Sequence, residues 1–180
     1  MGGWVTVAFS GDCVPSSIGQ ASWISSCSTT GGSVNISHTA ASGTPGGYSN
    51  LAATNTVSNY IGNLTNFSIT SGGPTVGNAI WVDWNNNMVF ETTEKMFVTN
   101  TFVTTTTGNF NIPAGTPFGN YRMRVVTDYN TSTPSDPCGN ISRGEFKDCT
   151  FAVEAPPFCD RPTNLINNNI SSTTASHSWT

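Results

Sequence analysis

Charged residues are scarce in this chain. Only 9% of its 180 residues are Asp, Glu, Lys or Arg, and the formal net charge at pH 7 is −4. The 6 Lys and Arg residues are scattered along the chain, whereas a nucleic-acid-binding protein usually shows a basic patch. We therefore expect no nucleic-acid partner.

Long apolar segments are missing as well. No apolar run approaches the about 20 residues that a membrane-spanning helix needs, so we expect no membrane insertion. The N-terminal residues MGGWVTV lack the basic and apolar regions of a signal peptide. Either an export signal has been removed, or the chain is an internal piece of a longer protein.

The sequence also lacks motifs that are typical of enzymes and zinc sites. It contains no Gly-x-Ser-x-Gly nucleophile elbow and no Cys-x-x-Cys pair. Its two histidines, His38 and His177, lie in turn-rich polar stretches with no cluster of partners. We therefore expect neither catalytic activity nor a zinc ion.

The cysteines are more informative. Local pairing predicts a Cys13–Cys27 and a Cys138–Cys149 disulfide, each closing a loop of about 11 to 15 residues. Disulfides indicate an oxidising compartment, so we expect an extracellular or cell-surface protein. Cys159 is then left over, either free or paired with a cysteine outside this chain.

Small polar residues dominate the rest of the chain. Gly, Ser, Thr, Asn and Pro separate short alternating segments, which is typical of strands joined by turns. Many short strands at near-regular spacing predict an all-β fold, an antiparallel β-sandwich of the jelly-roll or immunoglobulin-like type. The predicted strands span residues 4–9, 33–38, 67–70, 79–82, 96–103, 109–112, 120–128 and 144–153.

Oxygen-bearing side chains crowd into residues 83–94. Their spacing is that of a twelve-residue calcium loop, except that Met88 stands at position 6, where such loops have Gly. An ordinary Asn-rich turn between two strands is the alternative interpretation. Calcium is the only cofactor that we expect. Its predicted ligands, at positions 1, 3, 5, 7, 9 and 12, are Asp83, Asn85, Asn87, the carbonyl of Val89, Glu91 and Glu94.

The clearest alternation occurs in residues 120–128. Its apolar side chains face one way, towards a predicted core, and Arg122 and Arg124 face the other. Buried arginines need acidic partners, whereas exposed ones need only solvent. Glu145 and Asp148, on the predicted strand 144–153, are the candidate partners for structural ion pairs.

The composition changes near residue 155. Residues 1–154 make up the predicted sandwich, and residues 155–162 form a Pro-rich linker. Residues 163–180 resemble the opening strands of a fibronectin type III domain, which would continue past residue 180. Two strands alone cannot bury a core. This segment is therefore disordered, completed by further sequence, or paired with another chain.

Four segments together resemble the GEVED-type β-sandwich domain of secreted Bacteroidetes proteins. They are WVDWNNNMVFETTE, NIPAGTPFGNYRMRV, PCG and GEFKDCTFAV, in that order, and the resemblance spans about residues 13–153. It implies surface display beside fibronectin-like repeats and a calcium site, and it implies no reaction.

The chain departs from the family pattern at three places. Asn87-Met88 replaces Asp-Gly, Phe146-Lys147 replaces Val-Glu, and Cys149 replaces Tyr. The first departure weakens the calcium prediction, and the last agrees with a local disulfide.

We expect the protein to be an extracellular structural module, either an adhesin repeat or a fibre subunit. Residues 4–9 and 163–180 are the segments most able to add a strand to the sheet edge of another copy. Repeated head to tail, such a contact builds a filament. The alternative is a calcium-dependent accessory module that binds glycans or surfaces.

Covalent glycans are a further expected partner. The chain contains six Asn-x-Ser/Thr sequons. In a chain with so few charges, sugars would supply solubility. The predicted acceptors are Asn35, Asn63, Asn66, Asn130, Asn140 and Asn169.

Overall fold

The computed structural model describes residues 13–157, Thr173 and the backbone of residues 166–170 and 175–178. The strand predicted at residues 4–9 and Cys159, which we expect to be free or paired with a cysteine outside this chain, lie outside the described residues. The described part contains no helix that is long and apolar enough to cross a bilayer.

The described chain consists mainly of β-strands, with two short 3-10 turns at Pro45–Gly47 and Thr92–Glu94. The strands are β1 (Ser16–Gly19), β2 (Trp23–Thr30), β3 (Ser37–Thr39), β4 (Tyr48–Asn50), β5 (Thr56–Asn59), β6 (Leu64–Gly72), β7 (Gly77–Val82), β8 (Lys95–Val98), β9 (Thr105–Asn111), β10 (Gly119–Asp128), β11 (Asn140–Val153), β12 (Ile166–Ile170) and β13 (Ala175–Ser178).

Two sheets face each other, which confirms the predicted β-sandwich. One sheet has the order β3-β2-β6-β9, and the other follows the path β1-β11-β10-β7-β8. β4 and β5 also pair with β11, and they do so in parallel, as does β1. The second sheet is therefore not purely antiparallel. β12 and β13 form a two-stranded antiparallel sheet.

Alternating side chains fill the space between the two sheets. β6 alternates buried and more exposed positions along its length, as expected for a strand with one face on a core. On β10, Tyr121, Met123 and Val125 point into this core, as predicted. The rings of Trp84 and Phe151 pack edge to face, with centroids 5.1 Å apart.

The predicted disulfide pairing is wrong. Cys13 bonds to Cys138, with Cα atoms 5.5 Å apart, and Cys27 and Cys149 are free and buried. The pairing of β1 with the start of β11 brings the two remote loop cysteines together. Cys27 lies on β2 and Cys149 on β11, and both side chains belong to the core between the sheets. The segment between Cys13 and Cys27 holds strands, not a pinned loop.

A second, smaller cluster covers the outer face of the β11-β10-β7 sheet. Phe90, from the loop after β7, packs on this face, and β7 and most of β10 are buried on both sides. Its members are Ala79, Trp81, Phe90, Val126 and Phe146, with Tyr48 and Ile141 packed against them.

Arg124 is buried in this outer layer, with no exposed surface. Its Nε and Nη2 donate hydrogen bonds to the two carboxylate oxygens of Asp148, at 2.6 and 2.7 Å. Its Nη1 donates to the carbonyl of Pro137 at 2.8 Å, and Nη2 donates to the carbonyl of Cys13 at 3.1 Å. One side chain therefore ties β10 to β11 and to both loops that carry the disulfide.

Asp148 also forms an ion pair with a second arginine, Arg122. The Nη1 of Arg122 lies 3.6 Å from its carboxylate, and the guanidinium of Arg122 stacks 4.2 Å above the ring of Phe90. The hydroxyl of Tyr48 donates to Asp148 at 2.8 Å. Burial, followed by the charge of Asp148, raises the pKa of Tyr48 to about 12. The predicted ion pairs between both arginines and Asp148 are present.

The same prediction is wrong for Glu145, which lies on the opposite face of β11, between the sheets. Its partner is Lys147, with Nζ 3.2 Å from Oε1. Its carboxylate also accepts the backbone N–H groups of Ile24 and Thr44, each at 2.8 Å. The bulge in β2 after Ile24 disturbs the ladder at that point, and Glu145 satisfies the N–H group there.

We predict that Asp148→Asn lowers the free energy of unfolding by about 3–5 kcal/mol, because it removes the carboxylate that pairs with the buried guanidinium of Arg124. Urea denaturation measures this value. Glu154→Gln, the same chemical change at an exposed position just after β11, should alter stability by less than about 0.5 kcal/mol. Equal effects of the two changes would contradict the assignment.

Candidate functional site

The candidate site is the loop that follows β7, residues 83–94. All six residues of β7 are buried, and the pairing of β7 with β10 continues into the loop. The backbone N–H of Asp83 donates to the carbonyl of Arg122 at 2.9 Å. Asp83 is therefore held at the end of a rigid strand, with its side chain 2% exposed.

The carboxylate of Asp83 organises the first half of the loop. Its Oδ1 and Oδ2 accept the backbone N–H groups of Asn87 and Met88, at 3.2 and 3.0 Å. The side-chain oxygen of Asn85 accepts the N–H of Asn87, and that of Asn87 accepts the N–H of Val89, both at 2.8 Å. The two bonds to the asparagine side chains are Asx turns. The loop thus winds around Asp83.

Met88 has a backbone conformation that favours glycine. Its φ angle is 70°, and that of Asn86 is 54°. Asn enters the left-handed region readily, whereas Met pays a steric penalty there. Position 6 of the loop therefore makes the sharp turn that a calcium loop requires, although the residue is not Gly.

Two glutamates close the second half of the loop. Glu94 accepts the backbone N–H groups of Asn85 and Glu91, at 3.3 and 3.1 Å, and Glu91 and Glu94 form a capping box around Thr92–Glu94. The side-chain amides of Asn85 and Asn87 donate to the carboxylate of Glu91, at 3.2 and 2.5 Å. All predicted side-chain ligands therefore belong to one hydrogen-bonded unit.

The acidic groups of this unit influence each other. Burial raises the pKa of Glu94 from its ordinary value of 4.5 to about 7, and a hydrogen bond with Glu91 and the charges of Glu91 and Asp83 act in the same direction. The hydrogen bond with Glu94 lowers the pKa of Glu91. Because the folded state holds this proton more tightly, the metal-free fold loses stability as the pH rises from about 4.5 to 7.

The loop is suited to a hard cation in its chemistry. It presents carboxylate and amide oxygens, which calcium prefers. A cation would also relieve the repulsion among Asp83, Glu91 and Glu94. Among the described residues, no three Asp, Glu, His or Cys side chains lie close enough together to hold a metal ion. Metal binding would need a rearrangement of these carboxylates, and calcium stays a prediction.

A groove of about 580 Å³ lies beside the loop. Trp84 and Tyr121, whose ring centroids are 5.5 Å apart, line it together with Phe118, which is 65% exposed. None of its lining residues is charged. They are Trp84, Asn85, Asn86, Ala114, Gly115, Thr116, Pro117, Phe118, Gly119 and Tyr121.

Sequence reasoning missed this groove. The sequence predicts a turn at residues 113–117. Only the structure shows that this turn lies beside the loop after β7, so that Phe118 and Asn86 line the same groove. The side-chain amide of Asn86 donates to the carbonyl of Asn120 on β10, at 3.2 Å, and joins this part of the loop to the groove. The sequence signal for the groove was Phe118, a large apolar residue next to an uncharged turn.

The predicted glycan acceptors lie apart from this site. The side chain of Asn63 is half-buried, and its amide donates to the carbonyl of Gly31 at 2.6 Å. Asn169 lies on β12, whose side chains are outside the described residues. The exposed acceptors are Asn35, Asn66, Asn130 and Asn140. Glycosylation stays a prediction for all of them.

The family model of the GEVED domain matches residues 78–152. The matched segment runs from β7 into the last residues of β11, and it includes the candidate loop, all residues that line the groove and both buried arginines. No curated protein matches the chain.

We predict that Met88→Gly raises the free energy of unfolding by about 1 kcal/mol, because Gly adopts a positive φ without the steric cost that Met bears. The neighbouring Val89 is also exposed but has an ordinary φ. Val89→Gly should therefore be destabilising. Thermal or urea unfolding compares the two, and a loss of stability in both would contradict the role assigned to position 88.

Proposed function

Because this chain contains a GEVED domain at residues 78–152, we propose that it is a non-catalytic extracellular structural module that assembles with copies of itself by strand addition. The observation that carries the proposal is the open edge at β9. The Cys13–Cys138 disulfide agrees with an oxidising, extracellular setting.

Among the described residues, β9 pairs only with β6. Within the described part of the chain, no strand pairs with its other side, so the backbone N–H and C=O groups there can pair with an added strand. Seven consecutive residues of β9 stay in register with β6, without a bulge. An edge of this length and regularity gives an incoming strand an uninterrupted template.

β9 also lacks the devices that usually protect an edge. Lysines, prolines, bulges and short length all discourage strand addition in monomeric proteins. No charged residue occurs between Lys95 and Arg122, and β9 itself contains no proline. Its outward side chains, at positions 105, 107, 109 and 111, are uncharged Thr and Asn.

The donor would come from the C-terminal β segment. β12 and β13 pair with each other in a two-stranded sheet, and such a sheet is marginally stable alone. Neither strand contains an Asp, Glu, Lys or Arg residue. Docking one of them on β9 of another copy joins two different surfaces, so the contact repeats head to tail and the assembly grows as a filament.

We predict that Asn109→Lys weakens self-association by about tenfold, because a lysine discourages strand addition at an edge and a docked strand would partly desolvate its ammonium group. Asn66 faces Asn109 directly on the interior strand β6. Asn66→Lys is therefore a matched control that places the same charge on the same face, away from the edge. Sedimentation velocity measures association, and equal behaviour of the two variants would remove β9 from the proposal.

Deletion of residues 160–180 tests the donor independently. Filaments seen by electron microscopy for the intact chain should disappear in the truncated chain. If the truncated chain forms the same multimers, strand donation by this segment is wrong.

A second function is favoured by the loop and the groove together. We propose as the alternative a calcium-dependent module that binds glycans or surfaces. The loop residues Asn85 and Asn86 also line the groove, so a cation that orders the loop would order one wall of the groove. An uncharged surface with exposed aromatic and amide groups suits a neutral sugar, which offers an apolar face and hydroxyls.

Calcium titration by calorimetry tests this alternative. Binding should be lost in Asp83→Ala, because position 1 of the loop supplies a central carboxylate, and kept in Thr92→Ala, at an exposed position that is not a predicted ligand. Since calcium must displace the proton of Glu94, whose pKa is about 7, affinity should fall by up to about tenfold per pH unit below pH 7. A pH-independent affinity would argue against Glu94 as a ligand.

A further inference from the structure

The environment of the Cys13–Cys138 disulfide differs at its two sulfur atoms. Cys138 is exposed, whereas Cys13 is half-buried and lies beside Arg124. The Nη1 of Arg124 donates to the Sγ of Cys13 at 3.2 Å. That arginine has no exposed surface and is fixed by Asp148, so the contact belongs to the folded core.

The groups in contact with the two cysteines differ in charge. At Cys13, the guanidinium of Arg124, which is held by Asp148, donates directly to Sγ. The hydroxyl of Tyr48, which also contacts Asp148, stays protonated because its pKa is raised to about 12. Near Cys138, the backbone N–H donates to Oδ1 of Asp136 at 2.8 Å, and this side chain is exposed. A thiolate is therefore stabilised at position 13 and disfavoured at position 138.

From this asymmetry we propose that Cys138 is a site of reversible modification by low-molecular-weight thiols. The attacking thiolate forms a new S–S bond with the Sγ of Cys138. The bond between Cys138 and Cys13 breaks, and its electron pair leaves with Cys13 as a thiolate beside Arg124. The products are a mixed disulfide on Cys138 and one free thiolate, so the exchange needs no other oxidant or reductant. The lower the pKa of the leaving thiol, the faster it leaves.

The folded structure keeps the two cysteines together after exchange. The N–H of Ser16 donates to the carbonyl of Gly139 at 3.3 Å, and β1 stays paired with the start of β11. Arg124 also holds the carbonyl of Cys13. The Cys13 thiolate therefore remains next to Cys138 and can attack it again, which restores the disulfide and releases the thiol.

The other described cysteines do not take part in this exchange. Cys27 and Cys149 are buried between the sheets. Burial raises the pKa of Cys27 to about 12 and that of Cys149 well above its ordinary value. Neither thiol forms a thiolate in the folded protein at neutral pH, so both serve as unreactive internal controls.

Cysteamine is a suitable probe, because its ammonium group complements Asp136. The folded chain is treated briefly with cysteamine, quenched with acid, alkylated and mapped by mass spectrometry. We expect the adduct on Cys138 and the new alkylated thiol on Cys13, with a preference of about tenfold or more. An adduct mainly on Cys13, or equal labelling of both, would overturn the proposal.

A second measurement separates the arginine effect from exposure alone. In a Cys159→Ser background, Cys138→Ser leaves Cys13 as the accessible thiol, and Cys13→Ser leaves Cys138. The pH midpoint of iodoacetamide alkylation should be at least about one unit lower for Cys13, although Cys13 is less exposed. A Cys13 midpoint at or above about 8.5 refutes the stabilised thiolate. If either variant fails to fold, the mapping on the unmodified chain decides the proposal.

Discussion

The buried ion pair between Arg124 and Asp148 is the interaction on which the outer face of the protein depends. Without it, the second face of the central sheet would carry an isolated buried charge, which costs several kcal/mol. With it, the arginine reaches the loops of Pro137 and Cys13 through hydrogen bonds and stacks on Phe90. The guanidinium group of Arg124 therefore contacts β11, both loops that carry the disulfide, and the loop after β7.

The candidate loop depends on this layer from the other side. Phe90 lies within the loop and covers both arginines, while Asp83 begins the loop at the end of β7. The loop is therefore anchored at its first residue by sheet hydrogen bonds and in its middle by an aromatic ring. Residues 85–89, 92 and 93 remain exposed. A cation bound to this exposed part would move Asn85 and Asn86, which line the adjoining groove, without disturbing the core.

Local alternation was sufficient to predict much of the fold. The segment 120–128 was recognisable as β10, because an apolar face opposite two arginines has a clear period of two. The disulfide was not predictable, since the contact between Cys13 and Cys138 arises from parallel pairing of strands far apart in sequence. The partners of Glu145 were predicted wrongly for a similar reason. They include Ile24 and Thr44, which are remote in sequence and come near only when the two sheets pack together. Ligand spacing predicted that the loop side chains form one unit, but not the positive φ of Met88.

The low charge of the chain has different consequences inside and outside the fold. Inside, the few charges are concentrated: the arginines and Asp148 lie in the outer layer, and Lys147 with Glu145 lies between the sheets. Little charge is therefore left for the surface. A protein in this state cannot rely on like-charge repulsion to keep a regular edge such as β9 apart from other strands. The use of charges as internal ion pairs leaves that edge without charged side chains, which agrees with the strand addition that we propose.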